Sequence, residues 1–184
     1  MKVIETKLAG LKIIEPKVFG DERGFFYETY QKSRYKEEGI GADFVQDNYS
    51  KSTAGVLRGL HFQKLYPQGK LVSVTRGKVF DVAVDLRPTS NTFGQYESVI
   101  LSAENKLQFY IPEGFAHGFC VLSEEAEFHY KCTDYYDPTD ESGLIWNDPT
   151  INIAWPLTDV ILSDKDLGQP KFSDIKEQII NGWA

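Results

Sequence analysis

An all-β fold is expected from the sequence, on three observations. Short β-type runs alternate with turn residues through most of the chain. Helical periodicity is confined to two brief peripheral stretches. Aromatic residues make up 14% of the chain, a load that suits strands and stacking sites. With 184 residues the chain has the length of one domain with a full core. No linker, internal repeat or low-complexity tract divides it, so a single domain over 1–184 is expected, built as a sandwich or barrel.

The strands expected are residues 56–63, 70–75, 78–87, 95–102, 107–111, 115–122 and 126–134. Between them lie Arg76-Gly77, residues 88–94 and 103–106, Pro112-Glu113-Gly114 and residues 123–125, all with turn chemistry. Alternation is clearest over 79–86, where Phe80, Val82, Val84 and Leu86 point one way and Asp81, Ala83 and Asp85 the other. Residues 33–38, stopped by Gly39, allow one or two helical turns. Residues 172–180 carry apolar positions at helical spacing behind Ser173, a candidate cap, and predict a C-terminal helix.

Charge narrows the function classes. Twenty Lys and Arg stand against 27 Asp and Glu, for a net charge of −7. That balance argues against a nucleic-acid surface, which needs a basic stripe to displace phosphate counterions. An anionic ligand would need a local basic cluster working against the overall field. Cys120 and Cys132 cannot make a disulfide framework or a four-ligand zinc site and are expected as buried thiols. Lys2, Glu5, Lys7, Lys12 and Glu15 break the apolar run a signal peptide needs, and no stretch approaches the ~20 apolar residues of a membrane span. A soluble, cytoplasmic protein is the expectation, with no membrane and no nucleic-acid partner.

Only His61, His117 and His129 could serve as imidazole ligands or bases. A barrel metal site favours an H-x-H pair on one strand face, and Gln63 occupies the position that would complete it with His61. A three-His site could still be assembled in space, so the residues disfavour a metal without excluding one. In Arg58-Gly59-Leu60-His61-Phe62-Gln63, alternation sends Leu60 and Phe62 to one face and Gly59, His61 and Gln63 to the other. A lone His among polar strand residues is by default a hydrogen-bonded surface His; Arg58 beside it, and Gly59 leaving room for a ligand, favour a site. In Glu127-Phe128-His129-Tyr130-Lys131-Cys132, alternation groups Phe128, Tyr130 and Cys132 inward and turns His129 out. Tyr130 is then either a packing tyrosine or an acid with its phenol in a cavity. Asp164-Lys165-Asp166 reads as a solvated loop, and Tyr135-Tyr136 as turn aromatics or a stacking platform.

The motifs in series say more than each does alone. Arg58 to Gln63, Gln68-Gly69-Lys70-Leu71-Val72, Val79 to Arg87, Leu101 to Asn105, Ile111 to Phe119, Tyr130 to Tyr136 and Leu162 to Asp166 follow in close order. From about residue 14 to residue 166 the chain resembles the dTDP-4-dehydrorhamnose 3,5-epimerases, rhamnose-pathway enzymes of the cupin superfamily. The resemblance implies a jelly-roll β-barrel with short peripheral helices, homodimers with N-terminal strand exchange, and catalysis without metal or cofactor. It implies inversion of C3 and C5 of dTDP-4-dehydro-6-deoxy-D-glucose to give dTDP-4-dehydro-L-rhamnose.

By that resemblance His61 matches the base, Asp166 its dyad partner, Tyr130 the acid on the opposite face, and Lys70 the group beside the C4 oxygen. Arg23, Glu28, Gln46, Asp47, Asn48, Arg58, His117, Glu141 and Lys165 match substrate contacts, and Tyr136 the aromatic that stacks on thymine. Residues 64–67 form a variable loop to which no contact carries over. Ser73 stands where many members place an arginine, and His129 replaces a more usual apolar residue. The alternatives within the superfamily are a C3 or C5 mono-epimerase and a 3,4-ketoisomerase, separable by the number of positions exchanged. From other classes, a metal-dependent cupin oxygenase is separable by chelation, and a non-catalytic sugar-binding module lacks a reason to keep the full proton-transfer set.

Overall fold

The computed structural model describes residues 1–182. Along them run β1 (Lys2–Glu5), β2 (Lys12–Glu15), β3 (Val18–Asp21), β4 (Gly24–Tyr27), α1 (Lys32–Glu37), β5 (Gln46–Thr53), β6 (Leu57–Gln63), β7 (Lys70–Arg76) and β8 (Lys78–Asp85). They continue with β9 (Tyr96–Ser102), β10 (Gln108–Ile111), β11 (Phe115–Val121), β12 (Glu125–Cys132), β13 (Glu141–Gly143), α2 (Asp164–Leu167) and α3 (Phe172–Ile180). One antiparallel sheet has the order β1-β2-β10-β7-β12-β5 and a second the order β13-β6-β11-β8-β9, while β3 and β4 pair only with each other. Apart from the consecutive pairs β1–β2, β3–β4 and β8–β9, neighbouring strands are non-consecutive in sequence, the interleaving of a jelly roll.

The inner faces of the two sheets meet in a core that includes Val72, Val74, Val79, Ala83, Phe119, Val121 and Phe128. Each Val and Phe side chain among them contributes roughly 1.5–3 kcal/mol on leaving water. A second cluster lies outside the five-stranded sheet, where Leu60, Phe62, Val82 and Val84 meet Phe172, Ile175 and Ile179 of α3. A third lies outside the six-stranded sheet, where Ile14, Leu71 and Tyr110 pack with Tyr35 of α1. No helix among the described residues is long and apolar enough to cross a membrane.

The seven expected strands and both helices are present. The alternation in β8 also holds, but neither of its faces is wet: Asp81 and Asp85 are fully buried. Buried carboxylates persist only when paired. Burial raises the pKa of Asp85, but hydrogen bonds from Arg87, Ser90 and Thr92 outweigh it and bring the value to about 2. Two local readings are corrected. Residues 164–167 form the helical turn α2 rather than a loop, because the Ser163 hydroxyl accepts the Asp166 N–H at 3.1 Å. The helix α3 is capped at Lys171 and not by Ser173: the Asp174 carboxylate accepts the Lys171 N–H at 3.3 Å, and Ser173 bonds to Asp174 instead. Six strands lie beyond the runs read from periodicity: β1 to β4 and β13, each only three or four residues long, and the eight-residue β5, whose sequence QDNYSKST has no apolar alternation.

Candidate functional site

A cavity of about 480 Å³ opens between the two sheets. The six-stranded sheet contributes Ser50, Lys70, Phe128 and Tyr130, and the five-stranded sheet Arg58, His61, His117 and Phe119. Ser163, Lys165 and Asp166 close it from α2 and its cap. Groups on facing sheets can address opposite faces of anything bound between them.

The strand β6 owes its shape to one irregularity. His61 pairs with His117, but Arg58 pairs with Phe119, so two residues of β6, Gly59 and Leu60, oppose one of β11, Gly118. The extra residue reverses the alternation, as a β-bulge does. Arg58 thus reaches the same cavity as His61 instead of the opposite face, with its Nε donating to Ser52 Oγ at 3.0 Å. Gly59 lies within the bulge at φ +107, and a Cβ there would sit 2.6 Å from the His117 carbonyl oxygen. Its missing side chain makes room for the neighbouring strand rather than for a ligand, contrary to the sequence reading.

His61 and Asp166 are 105 residues apart in sequence and 2.5 Å apart in space, through Nε2 and Oδ1. Burial raises the pKa of Asp166, but bonds from His61, the Ser163 hydroxyl and the Gly59 amide outweigh it and leave the acid below its ordinary range. An ionised Asp166 fixes the proton on Nε2 and leaves the lone pair on Nδ1. Glu141 Oε1 lies 3.8 Å from that Nδ1. Its other oxygen accepts from Tyr136 Oη at 2.5 Å and contacts Lys165 Nζ. For Glu141, too, burial acts upward and the hydrogen bonds from Lys165 and Tyr136, with the charge of His61, carry it down. The shared bond with Glu141 pushes the Tyr136 phenol up to about 12.

Lys70 and Tyr130 face the cavity differently. Neither Lys70 Nζ nor Tyr130 Oη has a hydrogen-bond partner among the described residues, and no buried side-chain polar atom among them is left unsatisfied. Both groups are therefore open to the cavity. Burial lowers the pKa of Lys70, opposed by Cys132, Asp81 and Glu141. Burial raises that of Tyr130 against the opposing charge of Arg58, which keeps the phenol protonated at neutral pH. Behind them His117 Nε2 meets both Asp81 oxygens, at 2.9 and 3.1 Å. Burial raises the pKa of Asp81, opposed by His117 and Lys70.

A family model for dTDP-4-dehydrorhamnose 3,5-epimerase matches residues 5–174. The chain belongs to that family. The epimerase of Shigella flexneri is 58% identical over 177 residues, covering 95% of this chain and 97% of that one. The dTDP-6-deoxy-D-glucose-3,5-epimerase of Legionella pneumophila, solved with dTDP-4-keto-L-rhamnose, superposes with a TM-score of 0.94 at 57% identity, over 97% of this chain and 96% of that one. A 3′-monoepimerase of Streptomyces bikiniensis, solved with dTDP-quinovose, is similar at 30% identity and a TM-score of 0.88, over 97% and 93% of the two chains.

The epimerase fold brings most of the expected residues together. His61, Lys70, Arg58, His117, Tyr130, Lys165 and Asp166 line the cavity, and Glu141 and Tyr136 join it through the bonds above. Gln46 and Asn48 share the inward face of β5, bonded to each other at 3.0 Å. Asp47 does not join them: strand alternation turns it to the other face, where Lys131 Nζ donates to it at 2.9 Å. Arg23 and Glu28 also lie elsewhere. Arg23 sits on the β3–β4 hairpin, bound to Asp21, and Glu28 pairs with Arg34 at 2.7 Å. Ser52, Asp81 and Ser163, which orient Arg58, His117 and Asp166, had no signal in the sequence beyond their polarity on strand or cap positions.

Proposed function

We propose that this epimerase inverts C3 and C5 of dTDP-4-dehydro-6-deoxy-D-glucose by proton transfer across the cavity, with His61 as base and Tyr130 as acid. The observation that carries the reading is their origin on facing sheets, above and below one space that Lys70 also enters. Both C3 and C5 adjoin the C4 ketone, so a proton lost from either leaves an enolate. Nδ1 of His61 takes the proton from one face, and Asp166 stabilises the imidazolium through Nε2. The free ammonium of Lys70 stabilises the enolate oxygen, which replaces the hydration that oxygen would have in water. The protonated phenol of Tyr130 returns a proton to the opposite face. Each inversion leaves an imidazolium and a phenolate, and both must be reset by solvent before the next. Arg58, His117 and Lys165 supply the cationic or hydrogen-bonding groups a diphosphate needs.

Incubation with the 4-keto sugar nucleotide in D2O is expected to place deuterium at both C3 and C5, read by NMR. Label at one position only would make the protein a mono-epimerase; no exchange by folded protein would sink the proton-transfer reading. In the same assay a Lys70→Met variant should exchange about 10²–10³-fold more slowly, the usual cost of removing one oxyanion-stabilising donor.

The assembly is a homodimer whose β3–β4 hairpins reach the partner's cavity. Two facts support this: Phe19, Phe25 and Phe26 on the hairpin are exposed at 53%, 63% and 69%, and Arg23 is at the hairpin's tip, where Asp21 is its one anionic partner among the described residues. Apolar exposure on that scale marks a surface that another chain covers. Co-expressing Arg23→Ala with His61→Ala chains tests it. Hybrid dimers would hold one intact site and regain activity that neither variant has alone, whereas a site completed within one chain regains none.

A further inference from the structure

Gln63 lies two residues beyond His61 on β6 and is only 6% exposed. Its amide meets three backbone groups from two loops. Nε2 donates to the carbonyls of Tyr66, at 2.7 Å, and Tyr135, at 3.2 Å, and Oε1 accepts the Asp137 N–H at 2.8 Å. Both donors of the side chain are used. The segment so held belongs to neither sheet, and two more glutamines complete its support. Gln46 Oε1 of β5 accepts the Tyr136 N–H at 3.0 Å, and Gln68 Nε2 donates to the Asp134 carbonyl at 2.8 Å. Side-chain amides thus replace a partner strand for residues 134–137, and Gln63 grips the chain on both sides of Tyr136.

We propose that Gln63 is a positioning residue for the nucleotide end of the site, acting through Tyr136. Tyr136 is half exposed, at 50%, so packing constrains it only in part. Its place is set by its main chain and by the single bond from its hydroxyl to Glu141. Glu141 is the register partner of Gln63 across β6 and β13, so one side chain ties the stacking aromatic to the strand that carries the base. This inference rests on the reading of Tyr136 as the residue that stacks on thymine.

A double-mutant cycle on dTDP affinity, by calorimetric titration, tests it. Stacking of one base on an aromatic ring sets the expected loss for Tyr136→Ala at about 5- to 150-fold. Gln63→Leu should weaken dTDP by about tenfold, the scale of stranding buried backbone groups. In the Tyr136→Ala background the same substitution should cost less than about twofold, because the group it positions is gone. With the full substrate, KM should rise more than kcat falls. Gln63→Glu keeps the side-chain size and the acceptor for Asp137 while removing the donors, and decides the matter if Gln63→Leu does not fold. Equal losses in both backgrounds would make Gln63 merely structural, and unchanged dTDP affinity in the Gln63 variants would overturn the proposal. The Tyr136→Ala affinity reports separately on the parent reading: unchanged dTDP binding there would remove the stacking role, whereas a loss of about 5- to 150-fold there with no loss in the Gln63 variants would sink the Gln63 proposal alone.

Discussion

Replacing His61 by alanine is expected to lower turnover of the 4-keto sugar nucleotide by about 10²–10⁴-fold, the usual contribution of a positioned general base. The size follows from the geometry. His61 Nε2 is held at 2.5 Å by Asp166, so Nδ1 is the one unprotonated nitrogen of that ring. Among the other groups at the cavity, His117 is committed to Asp81, and Glu141 to Tyr136 and Lys165. None is free to abstract a proton in its place. The loss should appear equally in deuterium exchange at C3 and C5, because one base serves both carbons. His61 is part-exposed to the cavity at 28% and its truncation leaves the apolar core intact, so dTDP affinity should stay near the parent value. Thermal stability should fall somewhat, because the buried Asp166 loses its His61 partner and keeps only the Ser163 and Gly59 bonds. Turnover close to wild type would remove His61 from the mechanism; exchange lost at one carbon only would require a second base.

The Tyr130→Phe variant should separate exchange from inversion. It keeps the ring, which packs against Phe128 at 5.8 Å between centroids, and removes a hydroxyl that has no partner among the described residues. Little stability is at stake, since no buried group is stranded. With the base intact, the substrate should still lose its C–H proton and regain deuterium from the same face with retained configuration. Formation of the inverted sugar should fall by about 10²–10⁴-fold, as for loss of a general acid. NMR of the recovered substrate, set against the yield of epimer, reads both at once. Burial keeps the Tyr130 phenol above its ordinary range, so it is the protonated form that waits for the enolate. Unchanged epimer yield and rate would show that another group, or water, protonates the far face.

Much of this site is visible along the chain, and the reason is periodicity. The inward set Phe128, Tyr130 and Cys132 and the outward pair Leu60 and Phe62 follow from the two-residue repeat of a strand, which needs no knowledge of partners. The series of motifs from Arg58 to Asp166 was long enough to identify the family. Asp166 was less accessible: in sequence it is one of two acids flanking a lysine, and only the Ser163 cap and the approach of β6 bury it against His61. Asp47 shows the converse. A contiguous polar triplet looks like a single lining, but a strand splits it, sending Gln46 and Asn48 inward and Asp47 out.

Composition and alternation along the chain are enough for an all-β domain in an acidic protein, since both are sums over near neighbours. Three features lie beyond such sums. The bulge that turns Arg58 into the cavity depends on register with β11. The burial of Asp81 and Asp85 depends on the inner face of β8, which Val79 and Ala83 share, being closed over when the two sheets pack together. The glutamine-held segment at Tyr136 depends on three side chains from different parts of the barrel converging on one stretch of backbone. Each is a contact between residues far apart in sequence. Its energy exists only once the sheets have closed, and for that reason no local pattern in the chain announces it.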